Sequence, residues 1–315
     1  MNRKPNTSVV MSTYNDARYL PGAIESILGQ SLQDFELIII DDHSADETPE
    51  ALANYIQRDS RIRVIRNERN VGVARSLNRG IEVARGELIA RMDSDDISLP
   101  ERFDKQVAFL DAHPEVGVLG TQTLFIDESG QLFRQAEWEK PTSHNSLVWQ
   151  LFYATPICHP SVMMRTECLR SVGGYSPDYP NEDMQLWTRM ALTTKLANLD
   201  DILLHYRMPP EELIQKLSYW EPQVQRVGRE YAERLTNHNI DPELARIFFI
   251  FQHYNGHIEE GVTLSQIFQV CCMLEDVFNG MRNRGLFELD DVETVENLLF
   301  HQTQRLVSVA FKKCI

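Results

Sequence analysis

Basic charge is scarce in this chain of 315 residues: 31 lysines and arginines stand against 46 aspartates and glutamates, a formal net charge of −15 at pH 7. Phosphate backbones demand the opposite sign, so the balance argues against nucleic acid as a partner. Cysteine is sparse too. The five, at 158, 168, 271, 272 and 314, show neither the CxxC spacing of a zinc site nor an even framework suited to a small secreted fold, and a reducing, cytoplasmic setting is the expectation. No apolar run approaches the ~18–20 residues of a membrane span, and the opening MNRKPNTSVVMSTYND meets polar residues before any apolar signal core. Neither export nor spanning is therefore expected, while peripheral attachment at the inner face of a membrane is left open. Two phosphate-binding signatures are missing as well. The first predicted strand is followed by Thr-Tyr-Asn and not by G-x-G-x-x-G, and there is no G-x-x-x-x-G-K-[ST] loop, which disfavours a dinucleotide-binding dehydrogenase and a P-loop NTPase.

What is present is an ordinary globular composition, 43% hydrophobic and 24% charged, which excludes disorder and allows a well-buried core. From residue 8 to about 121, short apolar runs alternate with amphipathic segments. Val9 to Met11, Leu37 to Ile40, Ile62 to Ile65, Leu88 to Ala90 and Val116 to Leu119 read as strands; helical spacing appears around Leu20 to Leu28, Leu52 to Ile56, Val73 to Ala84 and Phe103 to Leu110. This alternation predicts an α/β fold with a mainly parallel central sheet covered by helices on both faces, and ligands in such sheets bind at the carboxyl ends of the strands. From 122 to 208 the order is less regular, with strands expected near 131–135, 160–165 and 202–206 and a helix over 184–192. Beyond Pro209-Pro210, segments 211–236, 243–254, 264–283 and 291–311 read as helices. The expected organisation is one domain over 1–210, with halves at about 6–121 and 122–210, and an all-helical C-terminal region over 211–315.

The predicted strand ends carry the chemistry. After the first stand Thr13-Tyr14-Asn15-Asp16, after the second Asp41-Asp42, after the third Arg66-Asn67, and after the fourth Asp93-Ser94-Asp95-Asp96. Turn formation accounts for each alone, and Ser98-Leu99-Pro100-Glu101 reads as a capping box; convergence of the whole set on one sheet edge points to a site. In the DSDD tetrad three carboxylates repel one another unless raised pKa values, a basic partner or a bound cation neutralises them. Hard divalent ions such as Mg²⁺ or Mn²⁺ take such oxygens together with waters and phosphates, so the tetrad points to a metal-bound diphosphate.

Three segments, VVMSTYNDARYLPGAIESILGQSLQDFELIIIDDHSADET, RNERNVGVARSLNRGIEVARGELIARMDSDD and HPSVMMRTECLRSVGGYSPDYPNEDMQLWTRM, resemble the family 2 glycosyltransferases of GT-A fold, over about residues 6–208. The resemblance implies roles residue by residue. Thr13, Tyr14 and Asn15 match the segment that holds the nucleotide base, with the Tyr14 ring beside it. Asp42 matches the residue that hydrogen-bonds the base, with Asp41 its neighbour. Asn70, Gly72 and Arg75 match the segment beside the nucleotide; Asp93 matches a ligand to ribose and metal, and Asp95 the principal metal ligand. Glu182-Asp183 matches the ED motif in which the aspartate is general base, a role the chemistry requires because an acceptor hydroxyl is a poor nucleophile until a carboxylate takes its proton. His159, Gly174 and Tyr175 match positions shaping the sugar and acceptor pocket. The chain departs from the family's Tyr-Arg-x-His segment, which here reads Tyr206-Arg207-Met208-Pro209: Arg207 can still face a phosphate, but proline replaces the histidine.

The resemblance thus implies an inverting, metal-dependent transfer of a sugar from a nucleotide-diphosphate donor, with uridine the favoured base and Mn²⁺ or Mg²⁺ the cation, to a hydroxyl of a glycan or lipid-linked glycan, of a bacterial surface-polysaccharide type. Two other readings stand beside it. One is a sugar-nucleotide-binding scaffold with impaired catalysis, for which Pro209 speaks; the other is a nucleotidyltransferase, against which the absence of a Gly-rich basic segment after the first strand speaks. In the C-terminal region, the apolar surface from Leu264 to Phe278 suits packing onto the first domain or onto a second subunit, and Cys271-Cys272 read as buried small hydrophobes. Trp220, Tyr219 and the run Ile247 to Phe251 offer contact with a lipid-linked acceptor or membrane surface, although the basic face typical of such helices is lacking. His253 and His257 stand four apart, without the glutamate of a zinc motif.

Overall fold

The computed structural model describes residues 5–132, 140–208, 210–254, 256, 258–288 and 291–313. The chain forms two compact units, Met1–Thr142 with Ile157–Lys216, and Ser143–Pro156 with Leu217–Ile315.

In the first unit the expected alternation is realised as β1 (Thr7–Thr13), α1 (Leu20–Leu28), β2 (Phe35–Asp41), α2 (Thr48–Arg58), β3 (Ile62–Arg66), α3 (Val73–Val83), β4 (Leu88–Asp93), β5 (Ile97–Ser98), α4 (Arg102–Ala112) and β6 (Val116–Ile126). The apolar spacing of α1 explains its placement: Leu20, Ala23, Ile24 and Ile27 recur on one face, all fully buried against Val9, Met11, Leu37 and Ile39. β1 and β2 are buried along nearly their whole length because helices cover both sheet faces, which is why they read as unbroken apolar runs. Gly80 lets α3 approach β1; a Cβ there would lie 2.5 Å from Cγ1 of Val10.

The sheet has strand order β3-β2-β1-β4, followed by β7 (Met163–Arg165), β6, β8 (Lys195–Arg207) and β5. The first four strands are mutually parallel, β7 runs antiparallel to both β4 and β6, β8 is parallel to β6, and β5 is antiparallel to β8. Register places Thr13 beside Asp41, Asp41 beside Arg66 and Ser12 beside Asp93, so the carboxyl ends of β1 to β4 finish flush. Every polar strand-end group noted in the sequence therefore emerges along one edge.

Several expected elements change. The strand near 160–165 shortens to β7 because His159–Ser161 forms a turn of 3-10 helix around Pro160, whereas the strand near 202–206 extends back to Lys195. Of the strand near 131–135, the described part is a single bridge from Leu132 to Ile126; the rest falls on 133–139, outside the described residues. The capping box at Ser98 is not formed. Ser98 belongs to β5, and Gln30 caps α4 instead, its Oε1 accepting from Phe103 N at 3.1 Å while its Nε2 donates to Ser98 Oγ and Leu99 O.

The second unit contains α5 (His144–Gln150), α9 (Pro242–His253), α10 (Leu264–Asn283), α11 (Val292–Lys313) and most of α8 (Pro210–Thr236); α6 (Thr166–Ser171) and α7 (Glu182–Met190) lie in the first. α5, absent from the sequence expectation, buries Leu147, Val148 and Trp149 completely. Trp149 Nε1 donates to Gln302 Oε1 at 3.1 Å, and Asn145 exchanges two hydrogen bonds with the backbone of Glu288. Close contact is enforced at Gly228, where a Cβ would meet Phe152 O at 1.9 Å. Two expectations are corrected here. The run Ile247 to Phe251 is core rather than a membrane-facing surface, every one of its residues being buried with Phe248 stacked on Phe152. Conversely, the 264–278 surface is only partly covered: Phe268 is 70% exposed, Cys272 exposed and Cys271 half-buried, because these positions fall on the outer side of α10. His253 stacks on Phe249 and bonds its carbonyl through Nδ1 at 3.0 Å; His257 and the side chains of Tyr219 and Trp220 lie outside the described residues. Among the described residues no helix is long and apolar enough to cross a membrane.

Candidate active site

The first strand ends in a polar turn built largely by side chains. Thr13 is buried, its Oγ1 without a partner among the described residues. Tyr14 projects at 51% exposure, and Asn15 takes a positive φ of 52°, a conformation Asn tolerates, with Oδ1 accepting from Ala45 N at 2.7 Å. Asp41 and Asp42 are buried and internally committed. Asp41 Oδ1 accepts from Ser44 N at 2.8 Å, and Oδ2 faces Arg66 Nε at 3.5 Å. Asp42 accepts from Val71 N at 2.9 Å and Asn67 Nδ2 at 2.7 Å through one oxygen and from Gly72 N at 2.8 Å through the other. Its carboxylate thereby ties the 67–72 loop to the end of β2. Gly72 has a φ of 88°, a conformation glycine adopts without strain, and no protein atom lies within 4 Å of where its Cβ would be. Asn70 and Arg75 are exposed, and Arg75 Nη1 donates to Val71 O at 3.4 Å.

At the end of β4, oxygens of Asp93, Asp95 and Asp96 lie within 4.8 Å of one another. Asp96, which sequence reasoning assigned no role, is fully buried; its Oδ1 accepts from Arg207 N at 2.7 Å and its Oδ2 has no partner among the described residues. Burial and the neighbouring charges of Asp93 and Asp16 push the Asp95 carboxyl up to about 7, and burial raises Asp96 as well. Asp16 joins the cluster from β1, accepting from Ser94 Oγ at 2.6 Å. Arg207 closes one side: Nε donates to Asp95 O at 2.7 Å, Nη1 to Asp127 O at 2.6 Å, and the guanidinium lies 4.4 Å from the centre of the Tyr19 ring. Its Pro209 neighbour lies outside the described residues.

The residues expected on the acceptor side cluster around α7. Glu182 and Asp183 occupy its first turn, and burial raises both carboxyls, Glu182 to about 7 with the charge of Asp183 adding to the effect. His159 links Glu182 to Tyr175: Nδ1 lies 3.7 Å from Glu182 Oε1, and Nε2 lies 2.8 Å from the Tyr175 hydroxyl. Burial keeps this imidazole neutral by pushing its pKa well below the ordinary value. Tyr175 is held by Asn78, whose amide both accepts from Tyr175 N and donates to Tyr175 O at 2.8 Å, and the Gly173-Gly174 turn, both glycines at positive φ, is fastened through Arg189 donating to Val172 O and Gly174 O.

Two residues that sequence reasoning left out connect these clusters. Asn78 is one. The other is Arg91, 4% exposed, whose Nη1 donates to Asp93 Oδ2 at 2.5 Å and whose charge acts on Glu182, Asp183 and Tyr175. Strand alternation was the available signal, since residues 91 and 93 of one strand share a face.

A mainly parallel sheet with an acidic cluster at its strand ends and a second acidic pair on a following helix defines a GT-A type transferase. The chain matches the family model described as glycosyl transferase family 2 over residues 8–173, and it belongs to that family; it is a glycosyltransferase enzyme. It is 40% identical over 193 residues to the putative glycosyltransferase EpsE of Bacillus subtilis, a match covering 60% of this chain and 68% of that protein. Identity is 32% over 216 residues to the amylovoran biosynthesis glycosyltransferase AmsE of Erwinia amylovora (68% and 80% covered), and 30% over 220 residues to the O-antigen biosynthesis glycosyltransferase WbnJ of Escherichia coli (68% and 84%). Among solved structures, Staphylococcus aureus TarS in complex with UDP-GlcNAc shares the fold with a TM-score of 0.61 at 21% identity, covering 96% of this chain and 89% of that one. The mannosyltransferase PcManGT of Pyrobaculum calidifontis, in complex with GDP-Man and Mn²⁺, does so with a TM-score of 0.58 at 16% identity, covering 99% and 87%. Membership sets the nucleotidyltransferase reading aside.

Proposed function

We propose that the enzyme transfers a sugar, with inversion, from a nucleotide-diphosphate sugar, UDP favoured, to a hydroxyl of a growing surface glycan, and that it requires a divalent cation. The observation that carries this reading is the meeting of two acidic clusters at one strand edge: Asp93, Asp95 and Asp96 on the donor side and Glu182-Asp183 on the acceptor side, both facing the charge of Arg91. The names of the relatives support the acceptor class, amylovoran and O-antigen being the products in question.

The residues present fit a cation. Three hard oxygen donors converge, one buried carboxylate oxygen of Asp96 has no protein partner among the described residues, and Asp95 is raised to about 7 by burial and by the charges of Asp93 and Asp16. Asp93 and Asp95 would hold Mn²⁺ or Mg²⁺, which supplies charge neutralisation to a departing nucleoside diphosphate. The protein does the rest. Tyr14 offers an exposed ring to the base, the neutral His159 and Tyr175 shape the sugar pocket, and Asp183 takes the proton of the acceptor hydroxyl as that oxygen attacks the anomeric carbon from the face opposite the leaving group. A single displacement inverts the configuration.

Thermal stability in the presence of UDP, TDP or GDP, each with and without Mn²⁺, tests the donor assignment. A nucleotide at about 100 times its Kd adds about 2.7 kcal/mol, a rise of several degrees. The expected result is a rise with UDP that requires Mn²⁺ and disappears in Asp95→Asn. No rise with any of the three refutes the reading.

A further inference from the structure

We propose that Arg91 is a positioning residue of the transfer reaction: its guanidinium fixes the Asp93 carboxylate on the donor side while presenting the positive charge that the Glu182-Asp183 pair faces on the acceptor side. The inference rests on the transferase reading above and adds to it the element that holds the two carboxylate clusters in one working arrangement.

The placement follows from the sheet. β7 pairs with β4 only from Leu88 to Ala90, where Ala90 meets Met163. One residue later Arg91 N still donates to Val162 O at 3.0 Å, but the neighbouring chain has turned into the His159–Ser161 helix. β4 thus loses β7 as a neighbour at the position where the arginine enters, while β1 continues on its other side, and the charge of Arg91 acts on His159, Tyr175, Glu182 and Asp183.

A guanidinium buried to 4% exposure is costly unless its charge is answered. The one hydrogen bond it makes is to Asp93, and its Nε is buried with no partner among the described residues. Core satisfaction therefore does not account for the residue; a buried structural arginine, as Arg102 shows, spends its donors on Arg91 O, Val162 O and Gln106 Oε1. Arg102 also holds the backbone of Arg91 from behind, which fixes the strand carrying it. Carboxylates on both sides of Arg91 would repel one another without it, and the bond to Asp93 gives that side chain a single orientation toward the Asp95-Asp96 cluster.

The test uses the full-length chain and UDP release from UDP-N-acetylglucosamine, UDP-glucose and UDP-galactose with Mn²⁺, water serving as acceptor, in wild type, Arg91→Met, Arg91→Lys, Asp183→Asn and the Arg91→Met/Asp183→Asn double variant. Arg91→Met is expected to lower kcat on the order of 100-fold while changing donor KM less than about fivefold, the mark of an interaction that matters in the transition state. In the Asp183→Asn background the same change is expected to cost less than about threefold, because the two residues act as a unit. Arg91→Lys, which restores the charge but not the planar fork, is expected to recover about tenfold of the loss and to remain about tenfold below wild type in kcat. Equal losses from Arg91→Met in both backgrounds, or wild-type turnover in Arg91→Met, overturn the proposal while leaving the transferase reading intact. Should Arg91→Met not fold, Arg91→Lys decides: wild-type kcat with the lysine or a loss confined to KM overturns the proposal, and a loss confined to kcat supports it. If wild type releases UDP from none of the three donors, the UDP-sugar reading fails and this proposal with it.

Discussion

The commitment of Asp42 to the 67–72 loop gives a sharp prediction. Asp42→Ala removes the acceptor of three donors, Val71 N, Gly72 N and Asn67 Nδ2. Hydrogen bonds to a charged acceptor contribute about 1.5–3 kcal/mol each. Gly72 is exposed, so water recovers one of the three, and two lost bonds at the lower figure give about 3 kcal/mol. For a folding unit of this size that lowers Tm by roughly 6–12 °C. Differential scanning calorimetry of the nucleotide-free protein reads it directly, and limited proteolysis should show new cleavage between residues 67 and 72. If Asp42 instead spends its carboxylate on a nucleotide base, Asp42→Ala will melt within about 2 °C of wild type and lose only the UDP-dependent rise. That result would refute the latch.

Other expectations follow from the same structure. Burial raises the Asp183 carboxyl, and Asp183 accepts a proton only when charged; turnover should therefore be complete above that raised pKa and fall as pH drops through it, so that an acid limb of kcat lying no higher than the ordinary aspartate range would contradict the assignment. Glu182, pushed up to about 7, is coupled to Asp183 through their charges, and Glu182→Gln should reduce the profile to one ionisation. Gly228→Ala, whose Cβ meets Phe152 O at 1.9 Å, should destabilise the second unit by more than about 2 kcal/mol, read as a lower urea midpoint. Arg102→Met removes the guanidinium donors from Arg91 O and Val162 O, the latter keeping its bond from Arg91 N, and should cost about 1–3 kcal/mol; an unchanged midpoint would show that the lost bonds are replaced.

The parallel half of the sheet was legible because its strands are buried on both faces and its helices carry apolar residues at helical spacing; β1 and α1 fall where the pattern puts them. β5, two residues long, and α5, a helix of seven, were not, because neither is long enough to display a period. The site was legible as a set of strand-end residues, since register alone carries Thr13, Asp41 and Asp93 to one edge. What each carboxylate does there was not. Asp42 turns toward amides some thirty residues away, Asp96 gains its place from the backbone of Arg207, and Arg91 is made functional by α7, which arrives some ninety residues later. These are consequences of tertiary placement that no local pattern records.

The short excursion of residues 143–156 has a consequence for how this protein can be rearranged. The chain leaves the first unit after Thr142, contributes α5 to the helical unit and returns at Ile157, long before the C-terminal helices begin. The helical unit is therefore not a detachable tail. Ending the chain at 216 would strand Leu147, Val148 and Trp149 in water with nothing to cover them, and a chimera borrowing residues 217–315 from another transferase would have to borrow 143–156 as well. During synthesis the same segment must wait for residues 157–216 to be made before the rest of its unit begins at Leu217, which makes the helical unit, though mostly C-terminal, a participant in the folding of the middle of the chain.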